Sequence, residues 1–162
     1  MSQQKNDADQ RIARITLDEH TVVRRSADIE HERATAITDL LEDNSFSPAS
    51  GREGPFDLRL AIAENRLNLD IRSMADGSSE TIVLPLAPFR GIVKDYFMVC
   101  ESYYQAVRDS RLAQVETIDM GRRSLHDEGS QLLVQRLADK VAIDHATARR
   151  LFTLICVLHL RG

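Results

Sequence analysis

The side chains best suited to chemistry lie in residues 112–137, where apolar spacing predicts a helix. Five of them recur at three- and four-residue intervals along one side of that helix: Asp119, Arg122, Arg123, His126 and Ser130. Arg122, Arg123 and Ser130 could bind a phosphate or carboxylate, since guanidinium groups form paired hydrogen bonds with such anions. His126, oriented by Asp119, could then transfer a proton. The competing interpretation is a solvated helix face with internal ion pairs, which is the more common arrangement.

Two glycines interrupt the same predicted helix. Gly121 and Gly129 each cost about 1 kcal/mol relative to Ala in a helix interior. The positions that would complete a heptad stripe hold Arg122, Gly129 and Arg136, so an ordinary coiled coil fits poorly. We therefore expect either close packing of another helix at the glycines or a break in this one.

Other motifs that would indicate a reaction are weak or missing. His31 and Glu32 begin an HExxH zinc motif, but Thr35 occupies the position of the second His. Residues 127–128 offer carboxylates beside His126, yet consecutive helical positions point in different directions. The sequence contains no GxSxG, P-loop or GxGxxG motif. It therefore predicts no metal site and no cofactor.

Paired arginines raise the alternative of nucleic-acid binding. There are three such doublets: Arg24-Arg25, Arg122-Arg123 and Arg149-Arg150. They could follow a phosphate backbone while Tyr103 or Tyr104 stacks on bases. However, both tyrosines belong to an apolar helical stripe, and the formal net charge is -4. Nucleic-acid binding is thus the weakest of the hypotheses considered.

Strand patterns occupy the first half of the chain. Residues 11–17 are compatible with a short strand, and residues 56–63 and 67–72 alternate clearly between apolar and polar side chains. Glu64 and Asn65 between the last two runs predict a tight hairpin. A third antiparallel strand is expected at residues 81–86, at a sheet edge because it contains Pro85.

Helical spacing dominates elsewhere. One amphipathic helix is predicted from an N-cap at Ser26 to about Asp43, followed by a loop at residues 44–55. Three more helices are predicted at residues 89–107, at residues 112–137, and after the N-cap Asp144. The fold class is therefore α+β, with the order β-α-β-β-β-α-α-α. A small, mostly antiparallel sheet of about four strands packs on a helical layer.

Length and composition are typical of a single globular domain. The chain has 162 residues, of which 43% are hydrophobic, a length that favours one domain. We expect a disordered tail at residues 1–10 and a single domain at residues 11–162. No apolar run suits a signal peptide or a membrane span. A soluble cytoplasmic protein without membrane contact is the expectation.

Four strings of sequence point to a known family: IEHERA, KDYFMVCESYYQAV, IDMGRRSLHDEGSQLL and ATARRLFTLICVLH. Over residues 11–159 the chain resembles an alphaproteobacterial family, uncharacterised protein family 0262. The resemblance implies a bacterial cytoplasmic protein. It transfers no activity, ligand or site residue.

The leading hypothesis is a non-enzymatic interaction or regulatory domain that self-associates through its helices. Its basis is that the apolar helix stripes exceed what one face of a four-stranded sheet can cover. One alternative is a hydrolase or transferase for a small phosphorylated or carboxylated metabolite. In that case Arg122 and Arg123 would bind the anion and His126 would act as acid or base. The other alternative is a nucleic-acid-binding regulator.

Overall fold

The computed structural model describes residues 10–19 and 27–159. Within these residues the strands and helices follow in this order: β1 (Ile12–Leu17), α1 (Ala27–Glu42), β2 (Phe46–Pro48), β3 (Phe56–Ala63), β4 (Arg66–Ser73), β5 (Ser79–Pro85), α2 (Arg90–Arg108), α3 (Leu112–Leu137), β6 (Val141–Ile143) and α4 (His145–His159). The predicted α+β class and the order of the longer elements are confirmed. Arg24, Arg25 and the predicted cap Ser26 lie outside the described residues.

The main sheet has the strand order β1-β3-β4-β5. β3, β4 and β5 are antiparallel neighbours, whereas β1 runs parallel to β3. A parallel neighbour requires a crossover, and α1 lies in the connection between these two strands. The tight hairpin is confirmed, since Glu64 and Asn65 both adopt positive φ angles, 52° and 64°. Pro85 lies in β5, which forms one edge of the sheet.

The two faces of this sheet differ sharply. Alternate residues of β3 and β4 face the helices and are buried, among them Leu58, Leu69 and Ile71. On the opposite face Arg59 forms ion pairs with Asp18 and with Asp70. This alternation is the period of two that the sequence showed, and it leaves one polar sheet face exposed.

Helix α4 is the centre of the helical layer. Leu151–Leu158 are all buried, and α4 contacts α1, α2, α3 and β3. Its predicted N-cap is confirmed, because the Asp144 carboxylate accepts a hydrogen bond from the Thr147 backbone N–H at 2.8 Å. A helix with apolar side chains on nearly all sides is stable only where other elements pack around it, and α4 meets this condition.

A second, two-stranded sheet pairs β2 with β6. The prediction of an uninterrupted loop at residues 44–55 is wrong for Phe46–Pro48. The pair places the end of α1 beside the start of α4, where the Ser45 backbone N–H donates to the Thr147 hydroxyl at 2.9 Å. Upstream of it, Gln10 accepts a hydrogen bond from the Phe46 N–H at 3.0 Å.

Candidate functional site

Close packing of α3 on α4 sets the position of the candidate site. α3 is continuous through both glycines. A Cβ atom added at Gly129 would lie 2.2 Å from the Phe152 ring, whereas one added at Gly121 would have no atom within 4 Å. Close packing therefore explains Gly129 but not Gly121, and the helix is not broken at either.

His126 is held by α4, one turn before this contact. The Thr153 hydroxyl donates to the Arg149 carbonyl at 3.2 Å. The His126 Nε2–H accordingly donates to Thr153 Oγ1 at 2.8 Å. Its Nδ1 atom is buried and has no hydrogen-bond partner among the described residues. The expectation that Asp119 orients His126 is wrong, since Asp119 lies two helical turns away and binds arginines instead.

The surroundings of His126 keep its imidazole neutral. The Tyr96 and Phe152 rings lie 5.3 and 5.4 Å from it, between ring centroids. Burial, with a smaller contribution from the nearby Arg149 charge, lowers the pKa of His126 to about 4. At neutral pH the ring therefore acts as a hydrogen-bonding group without charge, and its ability to donate a proton as an acid is small.

Arg122 is the centre of a charged cluster between three helices. Its guanidinium donates to Asp119 Oδ1 at 2.7 Å and lies 3.5 Å from Glu32 Oε1 on α1. It also stacks 4.1 Å from the centroid of the Tyr103 ring. The Tyr104 hydroxyl donates to the same Glu32 oxygen at 2.8 Å. Because its partners come from α1, α2 and α3, Arg122 joins the three helices.

The remaining two candidates differ in exposure. Arg123 is 72% exposed and pairs with Asp119 Oδ2 at 2.9 Å. Ser130 is fully buried and donates to the His126 carbonyl at 2.7 Å. Ser130 does not line the cavities described next, so its hydroxyl serves the helix backbone.

Two adjoining cavities open beside these residues. The smaller, of about 210 Å³, is lined by Glu32, Tyr96, Arg122, Arg123, His126, Arg149 and Thr153. The larger, of about 600 Å³, is a groove between α1 and α4, lined by Glu32, Thr35, Ala36, Asp39, His126, His145, Ala146, Arg149, Arg150 and Thr153. The structure thus brings Arg122, Arg123 and His126 to one cavity, as the predicted pattern required.

Sequence reasoning missed the contributions of α1 and α4 to this site. Glu32 was considered only as part of a failed zinc motif, and Thr153 belongs to no motif in the sequence. No spacing in the sequence connects either residue to His126, because the contacts cross from one helix to another.

Across residues 10–19 and 27–159, no three His, Cys, Asp or Glu side chains are grouped so as to hold a metal ion.

Comparison with known proteins agrees with the resemblance seen in the sequence. A family model described as an uncharacterised protein family, UPF0262, matches residues 9–161. The chain belongs to this family. A UPF0262 protein of Rhodospirillum rubrum is 62% identical over 91% of both chains. Another, from Phenylobacterium zucineum, is 55% identical over 94% of both. No solved structure matches the chain.

The outer side of the α2–α3 hairpin forms a second candidate surface in this family member. We call its lining the hairpin groove, a depression of about 570 Å³ formed by Met98, Glu101, Ser102, Gln105 and Arg108 of α2, Arg111 at the connection, and Gln114 and Ile118 of α3. Met98 is 59% exposed at its edge.

None of the helices in the described parts of the chain is long and apolar enough to cross a membrane.

Proposed function

We propose that this protein is a non-enzymatic cytoplasmic interaction domain that forms a homodimer through the hairpin groove. The observation that supports the proposal is the groove itself, which has an exposed methionine at its edge and charges of both signs along its length. Methionine and arginine are both enriched at protein interfaces relative to the rest of the surface.

The polar cluster supports a non-enzymatic role. Arg122 forms ion pairs with Asp119 and Glu32, so an incoming anion would have to replace these contacts. The pKa of His126, lowered to about 4 by burial, leaves the ring with little capacity for general acid catalysis near neutrality. These groups stabilise contacts between helices better than they serve a reaction.

The arrangement of charge favours a second copy of the chain as the partner. Glu101 lies toward one end of the hairpin groove, and Arg108 and Arg111 lie toward the other. A twofold axis that runs the two α2 helices antiparallel brings Glu101 of each copy toward these arginines of the other. The same axis brings both Met98 side chains into the interface.

The available area suits a reversible dimer. The part of α2 that lines the groove, Met98 to Arg108, has 11 residues and is therefore about 16 Å long. A two-helix face about 20 Å wide would bury about 320 Å² per copy, or about 640 Å² in total, the size of a weak and transient contact. We therefore expect monomers and dimers to exchange in a concentration-dependent manner.

Sedimentation velocity over a range of protein concentrations tests this function. We expect Met98→Lys to shift the protein to monomer, because it removes an apolar contact and, in the antiparallel arrangement, places a cation beside Arg111 of the other copy. Met120→Lys is the matched control, since Met120 is 69% exposed but does not line the groove. Equal dimerisation of the wild type and Met98→Lys would contradict the proposal, as would a wild type that stays monomeric.

A charge exchange tests the pairing between copies. Glu101→Arg and Arg111→Glu should each weaken the dimer, since each places like charges opposite one another. In an equimolar mixture, every 101–111 contact between the two variants is again an opposite-charge pair. Restoration of the dimer in the mixture is the expected result, and its absence would overturn the antiparallel arrangement.

A further inference from the structure

The groove between α1 and α4 has walls of opposite charge. On the α1 side it is lined by Glu32 and Asp39, and on the α4 side by Arg149 and Arg150. His126 and Thr153 lie between them as uncharged polar groups. A groove of about 600 Å³ falls within the size range of small-molecule sites.

The charged side chains on the two walls of the groove do not form ion pairs with one another. Neither Asp39 nor Arg150 has an ion-pair partner in the part of the chain that the structure describes. The only side-chain hydrogen bond of Arg150 there is donated to the Ala146 carbonyl, one turn earlier. Arg149, by contrast, is paired with Asp127 at 3.1 Å. Arg150 is therefore the cation of the groove that is free to bind an anion.

Acceptors remain on the other side of the groove. The Tyr104 and Arg122 contacts of Glu32 both go to its Oε1 atom, and its Oε2 has no hydrogen bond within the described ranges. Beside it, the ring of His126 lines the groove, but its unpartnered Nδ1 atom is buried and closed off from solvent. The acceptors open to a ligand are therefore the Glu32 and Asp39 carboxylates, which suit a group with several N–H donors.

We infer that the groove binds a small zwitterion of the α-amino acid class, with its carboxylate on Arg150 and its ammonium group near Asp39 and Glu32. A guanidinium presents paired donors that match a carboxylate. An ammonium group has three donors and no acceptor, which matches the acceptors on the α1 side. A plain anion or a plain cation would satisfy only one wall and would be repelled by the other.

Titration calorimetry with each standard amino acid as the probe tests this inference. We expect at least one to bind, and the same compound to raise Tm when it is added in large excess over its Kd. The N-acetylated form and the methyl ester of that amino acid each lack one charge, and both should bind at least about tenfold more weakly. Failure of every standard amino acid to bind would overturn the inference, as would equal binding of either analogue.

Matched variants locate the site. Arg150→Gln and Asp39→Asn should each weaken binding about tenfold or more, since each removes one charged partner. The controls Arg136→Gln and Asp139→Asn make the same chemical changes at exposed positions outside the groove, and should bind as the wild type does. If the controls lose as much affinity as the groove variants, the site lies elsewhere. Met98→Lys should retain the affinity, so that failure of the dimer and failure of this site are separate results.

Discussion

The two halves of α3 lie in different surroundings although they belong to one continuous helix. In the second half Gly129, Ser130, Leu133 and Leu137 are buried against the rest of the fold. The first half forms, with the second half of α2, what we call the distal hairpin, residues 98–124. There Leu112 is 77% exposed. Burial of an apolar side chain in this protein is thus decided by where α4 and the sheet lie, and the residue type does not decide it alone.

The two regions also use polar side chains differently. Around α4, hydroxyl groups bond to the backbone, as Ser130 does with the His126 carbonyl and Thr153 with the Arg149 carbonyl. In the distal hairpin, charged side chains pair with one another, as Arg108 does with Asp28 of α1 at 3.0 Å. Exposed ion pairs contribute little to stability and are screened by salt. The distal hairpin should therefore be the less stable region.

The largest effect should come from matched leucine truncations in the two regions. Leu154 in α4 is fully buried, so Leu154→Ala should lower the free energy of unfolding by about 3 to 4 kcal/mol through lost contacts and a residual cavity. Leu112→Ala should change it by less than about 0.5 kcal/mol. Urea denaturation of both variants measures the two costs directly.

One outcome would contradict the difference in burial between the distal hairpin and the region around α4. If Leu112→Ala costs as much as Leu154→Ala, the first turn of α3 is buried in solution. Repeating the denaturation at a low and a high protein concentration identifies the reason. A cost that grows with concentration means that a second copy covers Leu112, and a constant cost means that the chain itself does.

The next effect is a pH dependence at the boundary between the two regions, where His126 lies. Burial lowers its pKa to about 4 in the folded state, against about 6.5 in the unfolded chain. As the pH falls below 6.5, the unfolded state takes up a proton that the folded state does not. The neutral His126 ring therefore makes its full contribution to the stability of the folded state above pH 6.5. This contribution is lost as the pH falls toward 4. Its size is on the order of 3 kcal/mol.

His126→Gln measures this contribution, since the amide keeps a donor for Thr153 but does not titrate. Urea denaturation at about pH 7 and about pH 4.5 should show a smaller loss of stability in the variant than in the wild type. His159→Gln is the comparison variant: burial, with a contribution from Arg90, also lowers the pKa of His159 at the far end of α4, so this variant should reduce the pH dependence too, but by less than His126→Gln does. An unchanged pH dependence in His126→Gln would mean that the ring is solvated.

The fold was largely predictable because most elements carry their pattern locally. The hairpin at Glu64 and Asn65 and the N-cap at Asp144 depend on neighbouring residues only, and both were found where expected. β2 and β6 have three residues each and pair across about 95 positions of the chain. Strands this short show no periodicity, and nothing local indicates which partner they choose.

The candidate site was predictable only within one helix. Helical spacing placed Arg122 and Arg123 near Asp119, and both ion pairs are present. The same spacing suggested Asp119 as the partner of His126, whose partner is in fact Thr153 of α4. Spacing along one helix describes neighbours on that helix, whereas a buried side chain is bonded by whichever element packs against it.

The smallest effect, and the one that separates the two halves of α3 within a single helix, comes from its glycines. Gly129→Ala should destabilise the protein by about 2 kcal/mol, because its Cβ would overlap a Phe152 ring that is already in contact with Tyr96 and His126. Gly121→Ala should instead stabilise it by about 0.5 to 1 kcal/mol, since the added methyl group meets no atom and reduces the freedom of the unfolded chain. Thermal and urea denaturation give both values. Opposite signs would confirm that α4 alone distinguishes the two positions. A loss of stability in Gly121→Ala would show that a partner packs closely against the distal hairpin.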